Sequence, residues 1–416
     1  MSVQHRAHGS AGDPPGAARR TGLRPMRPRD RSEPHRAASP LELFFDLVFV
    51  VAVSLASVEL HHALSEGHFA DGLVGYCTIF FAVWWAWMNF TWFASAFDTD
   101  DWLYRVLTLV QMAGVLVLAA GVHDAVVEED LTVVTAGYVV MRLALVVQWL
   151  RASRSDASLR RTTRRYAVGI TLVQLAWLAR LALPEQGGTW SFVLLALAEL
   201  AVPVWAERAR ATPWHPHHVA ERYGLFTLIL LGESVLASAN ALIDALEQSG
   251  HLAQLLLLAG CALALAAGMW WVYFSGEHHR RLGSRREGLV YGYAHYLVFA
   301  AAGAFSAGVE VLIDHESGHG AVSARAAAAT VTVPVALFLL ATWWLVLRHE
   351  LSGARNLLVV VCALIAAASA ALPRPLITTA LAVIAVVVTV ERRARPGLDG
   401  DPGRCGAESP ISTPAA

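Results

Sequence analysis

From residue 41 onward the chain alternates long apolar runs with short polar loops. At roughly 20 apolar residues per span, that pattern predicts about twelve transmembrane helices: 41–60, 73–96, 102–122, 131–150, 166–183, 190–206, 222–243, 252–275, 289–312, 328–348, 355–372 and 375–390. Pro373-Arg374-Pro375 separates the last two, as a tight turn or as a kink in one long span. The expected fold class is an all-α polytopic membrane protein.

Loop charge orients these spans, because short cytoplasmic loops collect basic residues. All basic side chains other than histidine are arginines, and they cluster after every second span: Arg151 to Arg165, Arg208 and Arg210, Arg280 to Arg286, Arg348 and Arg355, and Arg392 to Arg395. The intervening loops 123–130 and 244–251 contain none. Both termini are therefore expected on the cytoplasmic side of the membrane. One loop breaks the rule: Phe97-Asp98-Thr99-Asp100-Asp101 puts three acids where arginine is expected.

The halves echo each other. Glu42 followed by Ser54-Leu55-Ala56-Ser57 resembles Glu221 followed by Ser234-Val235-Leu236-Ala237-Ser238; Trp84-Trp85 recurs as Trp270-Trp271, and Gly121-Val122 as Gly308-Val309. Two parallel six-helix repeats would follow, with a pseudo-twofold axis along the membrane normal. The expected divisions are an Arg/Pro-rich disordered tail over 1–39, a first membrane half over 40–212, a second over 213–391 and a disordered tail over 392–416.

Composition agrees with the membrane assignment: 56% of the 416 residues are hydrophobic and 16% charged, with a mean hydropathy of +0.48. A net charge of -1 gives no reason to expect a nucleic-acid partner. Cys77, Cys261, Cys362 and Cys405 form no CxxC pair and read as packing thiols. No phosphate-binding glycine loop and no GxSxG occurs, and no cofactor and no enzymatic activity is expected.

Candidate chemistry then rests on charge inside the spans, which is costly and marks function or a buried partner. Glu42 lies at the cytoplasmic edge of the first span and reads as an anchor; Asp46 is about 6 Å deeper on the same face. Glu233 falls about 18 Å past Glu221, near the midplane, at a depth similar to that of Arg142. Those two could form a structural pair, or Glu233 could carry an ion. His295 and Glu199, at the inner level with Asp46, would complete a titratable cluster. A separate cytoplasmic group, Asp98, Asp100, Asp101, His218 and Glu221, would suit a hydrated divalent cation or a lock with Arg222. Trp84, Trp85, Trp87 and Trp92, with Trp270 and Trp271, read as interfacial belts.

At these motifs the chain resembles the bacterial low temperature requirement protein A family. The resemblance is carried by Pro40-Leu41-Glu42-Leu43-Phe44-Phe45-Asp46-Leu47-Val48-Phe49-Val50, by Phe97 to Asp101, by Glu221-Arg222-Tyr223-Gly224-Leu225-Phe226 leading into Leu231-Gly232-Glu233-Ser234, and by Tyr291 to Gly303. It spans roughly residues 39–390 and implies membership of a group named for growth in the cold, with no activity to carry over. The leading expectation is a proton- or cation-linked secondary transporter of a small molecule or ion, surrounded by membrane lipids. Its rival is a non-transporting membrane protein that supports low-temperature growth or envelope adaptation.

Overall fold

The computed structural model describes residues 22–30, 33, 37–97, 99–184, 188–247, 252–318 and 320–392, all in helices or the connections between them. Thirteen α-helices appear among these residues: α1 Pro40–Ser65, α2 Phe69–Phe97, α3 Trp102–Ala120, the short α4 Val122–Val127, α5 Thr132–Ser155, α6 Arg160–Arg180, α7 Gly188–Ala206, α8 Pro216–Glu247, α9 Leu252–Phe274, α10 Arg285–Glu316, α11 Ala324–Leu345, α12 Gly353–Ala368 and α13 Pro375–Glu391. Three short 3-10 turns lie among the described residues, and one of them, His278–Arg281, joins α9 to α10.

Ten of the elements are long and apolar enough to cross a membrane, against the twelve expected. The two that fall short do so for different reasons. α13 is apolar but only 17 residues long. α6 has 21 residues, but Arg160, Arg161, Arg164, Arg165 and Arg180 crowd its ends. The outward surface fits a lipid solvent: Leu47 (56% exposed), Leu172 (60%), Leu194 (67%) and Leu357 (65%) face away from the protein, whereas Glu42, Asp46, Arg142, Glu199 and Arg222 are buried. That inversion is expected where the surroundings are hydrocarbon and polar groups must find partners inside.

The chain forms two compact units. The first takes the described residues up to Glu59 and Ala70–Phe226; the second takes Leu60–Phe69 and the described residues from Thr227. The division thus falls inside α8 and near the end of α1, rather than in the loop around residue 212. Side chains on the first turns of α8 bond to α1, which draws those turns into the first unit.

Within the first unit, α3 packs on α5, α5 on α6 and α6 on α7. Within the second, α10 packs on α11, α11 on α12 and α12 on α13. Glycine sets the closest approach in each. A Cβ on Gly137 of α5 would meet the backbone of Leu118 and Gly114 in α3, and one on Gly308 of α10 would meet the Thr330 carbonyl of α11.

Part of the segment expected to be a disordered tail is docked. Met26 is fully buried, its N–H donates to Ser155 Oγ at 2.9 Å, and the Arg29 N–H donates to the Ala96 carbonyl at 3.0 Å. The Arg29 bond satisfies a carbonyl in the last turn of α2 that would otherwise lack a helical partner.

Candidate functional site: two buried charge clusters on either side of α2

The first cluster starts at the beginning of α1. Ser39 and Glu42 form a capping box: the Glu42 N–H donates to Ser39 Oγ at 3.3 Å, and the Ser39 N–H donates to Glu42 Oε2 at 2.8 Å. This fixes the Glu42 carboxylate, and one helical turn later Asp46 emerges on the same face.

α8 repeats the arrangement with opposite charge. It opens on Pro216 as α1 opens on Pro40, and His218 and Arg222 follow at the same spacing as Glu42 and Asp46. His218 Nε2 lies 3.2 Å from Glu42 Oε1. Arg222 grips Asp46 with a fork, Nη2 to Oδ1 at 2.5 Å and Nε to Oδ2 at 3.1 Å, and its Nη1 lies 3.1 Å from Glu42 Oε1. Both pairs are separated by 176 residues, so the two helices run parallel where they meet.

α2 closes the site from a third side. Trp87 Nε1 donates to Asp46 Oδ1 at 2.6 Å, and its ring stacks on Phe226 with centroids 4.4 Å apart. The quartet of Glu42, Asp46, His218 and Arg222 is sealed, none of the four side chains exceeding 2% exposure. Two carboxylates thus share one guanidinium and one imidazole. Glu42 is accordingly a buried partner and helix cap, in place of the interfacial anchor expected.

The second cluster is built around Glu199 of α7. Its Oε2 accepts from Arg142 Nη2 at 2.8 Å and Trp85 Nε1 at 3.0 Å; its Oε1 accepts from Tyr138 OH at 3.0 Å and Gln174 Nε2 at 2.7 Å. α2, α5 and α6 supply those donors, so one carboxylate ties four helices together. Trp85 and Trp87, two residues apart on α2, point to opposite sides of it and serve one cluster each. Both indoles are fully buried, which corrects the belt reading for them; Trp270 and Trp271 are the exposed pair.

The remaining expected residues do not join these clusters. Arg142 takes Glu199 as its partner rather than Glu233. Glu233, in the second unit, is half-buried and within electrostatic range of Glu310. His295 does not gather with Asp46 and Glu199. It belongs to a closed ring in the second unit: Tyr273 OH bonds His295 Nε2 (3.0 Å), His295 Nδ1 bonds the Tyr291 carbonyl (2.7 Å), Tyr291 OH bonds His278 Nδ1 (3.0 Å) and His278 Nε2 bonds the Tyr273 carbonyl (2.9 Å). Carbonyls only accept, so they fix both tautomers and leave each hydroxyl as the donor. Burial pulls His278 down to about 4, against the upward pull of its bond to the Tyr273 carbonyl.

The expected cytoplasmic group also separates. Asp98 lies outside the described residues. Asp100 forks onto Arg105 at 2.7 and 2.9 Å at the surface. Asp101 caps α3 through the Tyr104 N–H at 3.0 Å and also binds Arg151 and the Arg24 N–H. Burial alone would raise its pKa; the Arg151 bond and those two N–H groups hold the carboxyl below the usual aspartate range. His218 is inside the quartet and Glu221 is exposed. Among the described residues no three His, Cys, Asp or Glu side chains converge as a metal-binding set.

Comparison with known proteins agrees with this frame. Over 262 residues the chain is 28% identical to an uncharacterized protein of Rhizobium meliloti (strain 1021), a match covering 61% of each, so the alignment spans about three fifths of that relative. Residues 37–390, from just before the capping box to the end of α13, match the family described as Bacterial low temperature requirement A protein. This multi-pass membrane protein belongs to that family.

Proposed function

We propose that the chain is a proton-linked secondary transporter in which the α1/α8 quartet binds the coupling proton. The observation that carries this reading is the charge count in a sealed site. Two carboxylates face one guanidinium, so with both carboxylates ionised the quartet is neutral when His218 also carries a proton. Histidine is the side chain whose ordinary titration lies nearest physiological pH. One proton therefore decides whether this helix contact carries a net charge in a water-poor setting, where such a charge is costly.

The wider architecture supports the same reading. Twelve spans arranged as two parallel six-helix repeats fit the neighbour order α3–α5–α6–α7 and its counterpart α10–α11–α12–α13, as well as the parallel contact of α1 with α8. The arginine-rich loops support an inner-membrane orientation with both termini in the cytoplasm. Glu233 and His295 lie outside this proton site.

The test is electrical recording from the purified full chain in proteoliposomes, with pH jumps and a panel of amino acids, organic acids, sugars and monovalent cations. A solute-dependent current that falls at least tenfold in Asp46→Asn and His218→Gln, with both variants folded, is the expected result. Currents of wild-type size in both variants would remove the quartet from the mechanism.

The Glu199 cluster favours a second reading. Its carboxylate is saturated by four donors, as suits a permanent fastener in a non-transporting protein that supports growth in the cold. In a strain lacking the gene, full rescue of low-temperature growth by His218→Gln, together with silent electrical recordings, would select that alternative.

A further inference from the structure

α6 begins with a dense run of positive charge that the quartet does not use. Arg160, Arg161, Arg164 and Arg165, with Ala157, Val168 and Trp205 of α7, line a groove of about 450 Å³. That volume is within the roughly 300–1,000 Å³ typical of small-ligand sites. Two other arginines of this unit near helix ends are matched by acids, Arg105 by Asp100 and Arg151 by Asp101. None of the four groove arginines is ion-paired to another described residue. Two are held from behind by main chain. Arg165 Nη1 donates to the Trp205 carbonyl at 3.2 Å, with its guanidinium 5.3 Å from the centre of the Trp205 ring; Arg160 Nε donates to the Ser153 carbonyl at 3.3 Å.

An apolar track continues from this basic end. On α6, Val168 (50% exposed), Leu172 (60%) and Leu175 (57%) follow Arg164 and Arg165 at helical spacing, and on α7 Trp205 (38%) leads back to Leu197 (57%) and Leu194 (67%). The two helices are packed together, since a Cβ on Gly169 would lie 3.0 Å from Val202. Charge at one end and an exposed hydrocarbon path along the same seam match the two parts of a phospholipid. A free anion would use only the first.

We propose that this groove binds the phosphodiester headgroup of an anionic phospholipid, with an acyl chain lying along the α6/α7 seam. Arg161 and Arg164 supply the charge, Arg165 and Trp205 form the wall, and Val168, Leu172 and Leu175 carry the chain. The site stands independently of transport and requires only that the chain spans a membrane.

The experiment is native mass spectrometry of the full chain in a neutral detergent, titrated with dioleoylphosphatidylglycerol, with dioleoylphosphatidylcholine, or with inorganic phosphate as competitor. Binding of phosphatidylglycerol over phosphatidylcholine is expected, weakened roughly 30-fold in Arg161→Gln/Arg164→Gln at about 1 kcal/mol per arginine. The charge-matched control Arg285→Gln/Arg286→Gln should bind as wild type. If the groove double variant does not fold, Arg164→Gln alone is expected to lose about fivefold on the same scale. Equal losses in groove and control variants, equal binding of phosphatidylcholine, or displacement of the lipid by inorganic phosphate would each overturn the proposal; the last would mark a free-anion site.

Discussion

Replacing Glu199 by glutamine tests how much the second cluster contributes to the fold. The change keeps the shape of the side chain but removes the charge facing Arg142 and turns an amide NH2 toward two of the four donors. Breaking one partner of a buried ion pair costs about 3–5 kcal/mol, and the crowded donors add to the upper end of that range. Arg142→Gln should cost less. A buried carboxyl left alone can neutralise itself by binding a proton, whereas a guanidinium cannot shed one. The double variant should then be more stable than the sum of the two single losses, because neither charge is stranded in it. Unfolding free energies from SDS titration of the purified protein, followed by tryptophan fluorescence, would measure all three. The reasoning fails if Glu199→Gln lies within about 1 kcal/mol of wild type, or if Arg142→Gln is the more damaging change.

Other consequences can be checked on the same preparations. Gly308→Ala should destabilise by about 1–3 kcal/mol, because its methyl group would meet the Thr330 carbonyl, which belongs to backbone and cannot swing away. Gly260→Ala, with open space around it, should be neutral or stabilising by up to about 1 kcal/mol; thermal midpoints of the two variants would separate these cases. His278, ordinarily near 6.5 and pulled down to about 4 by burial, binds its proton more readily in the unfolded chain. The resulting stability is complete above the ordinary value and is lost as pH falls from there toward 4, an effect of roughly 3 kcal/mol. A pH series of unfolding free energies should show that slope in wild type and a flatter one in His278→Gln.

Run length carried most of the fold into the sequence, because a membrane demands a nearly fixed number of apolar residues and an acid there is conspicuous. α6 shows where that logic weakens: its arginines sit within the helix ends, so hydropathy and helix disagree over the same residues. Depth along a helix was also readable, which is why Asp46 stood out. Direction around the helix was not. Arg142 and Glu233 share a depth on paper, yet Arg142 turns to Glu199, and that four-helix convergence depends on packing no local pattern encodes. Two local signals in the sequence do encode the quartet. Ser39-Pro40-Leu41-Glu42 has the spacing of a capping box, and Glu42/Asp46 after Pro40 is matched by His218/Arg222 after Pro216. An acidic pair and a basic pair at the same distance from a helix start are complementary before any coordinates are known.

The constant offset between those pairs has a consequence for assembly. Two copies of α1 laid side by side in the same parallel register would face carboxylate against carboxylate, and two copies of α8 would face cation against cation. Only the mixed contact cancels charge, so this seam rejects self-association of either helix and accepts the other. The first turns of α1 and α8 thus act as a lock and its differently cut key, selecting the partner that lies far along the same chain over an identical helix from a neighbouring molecule.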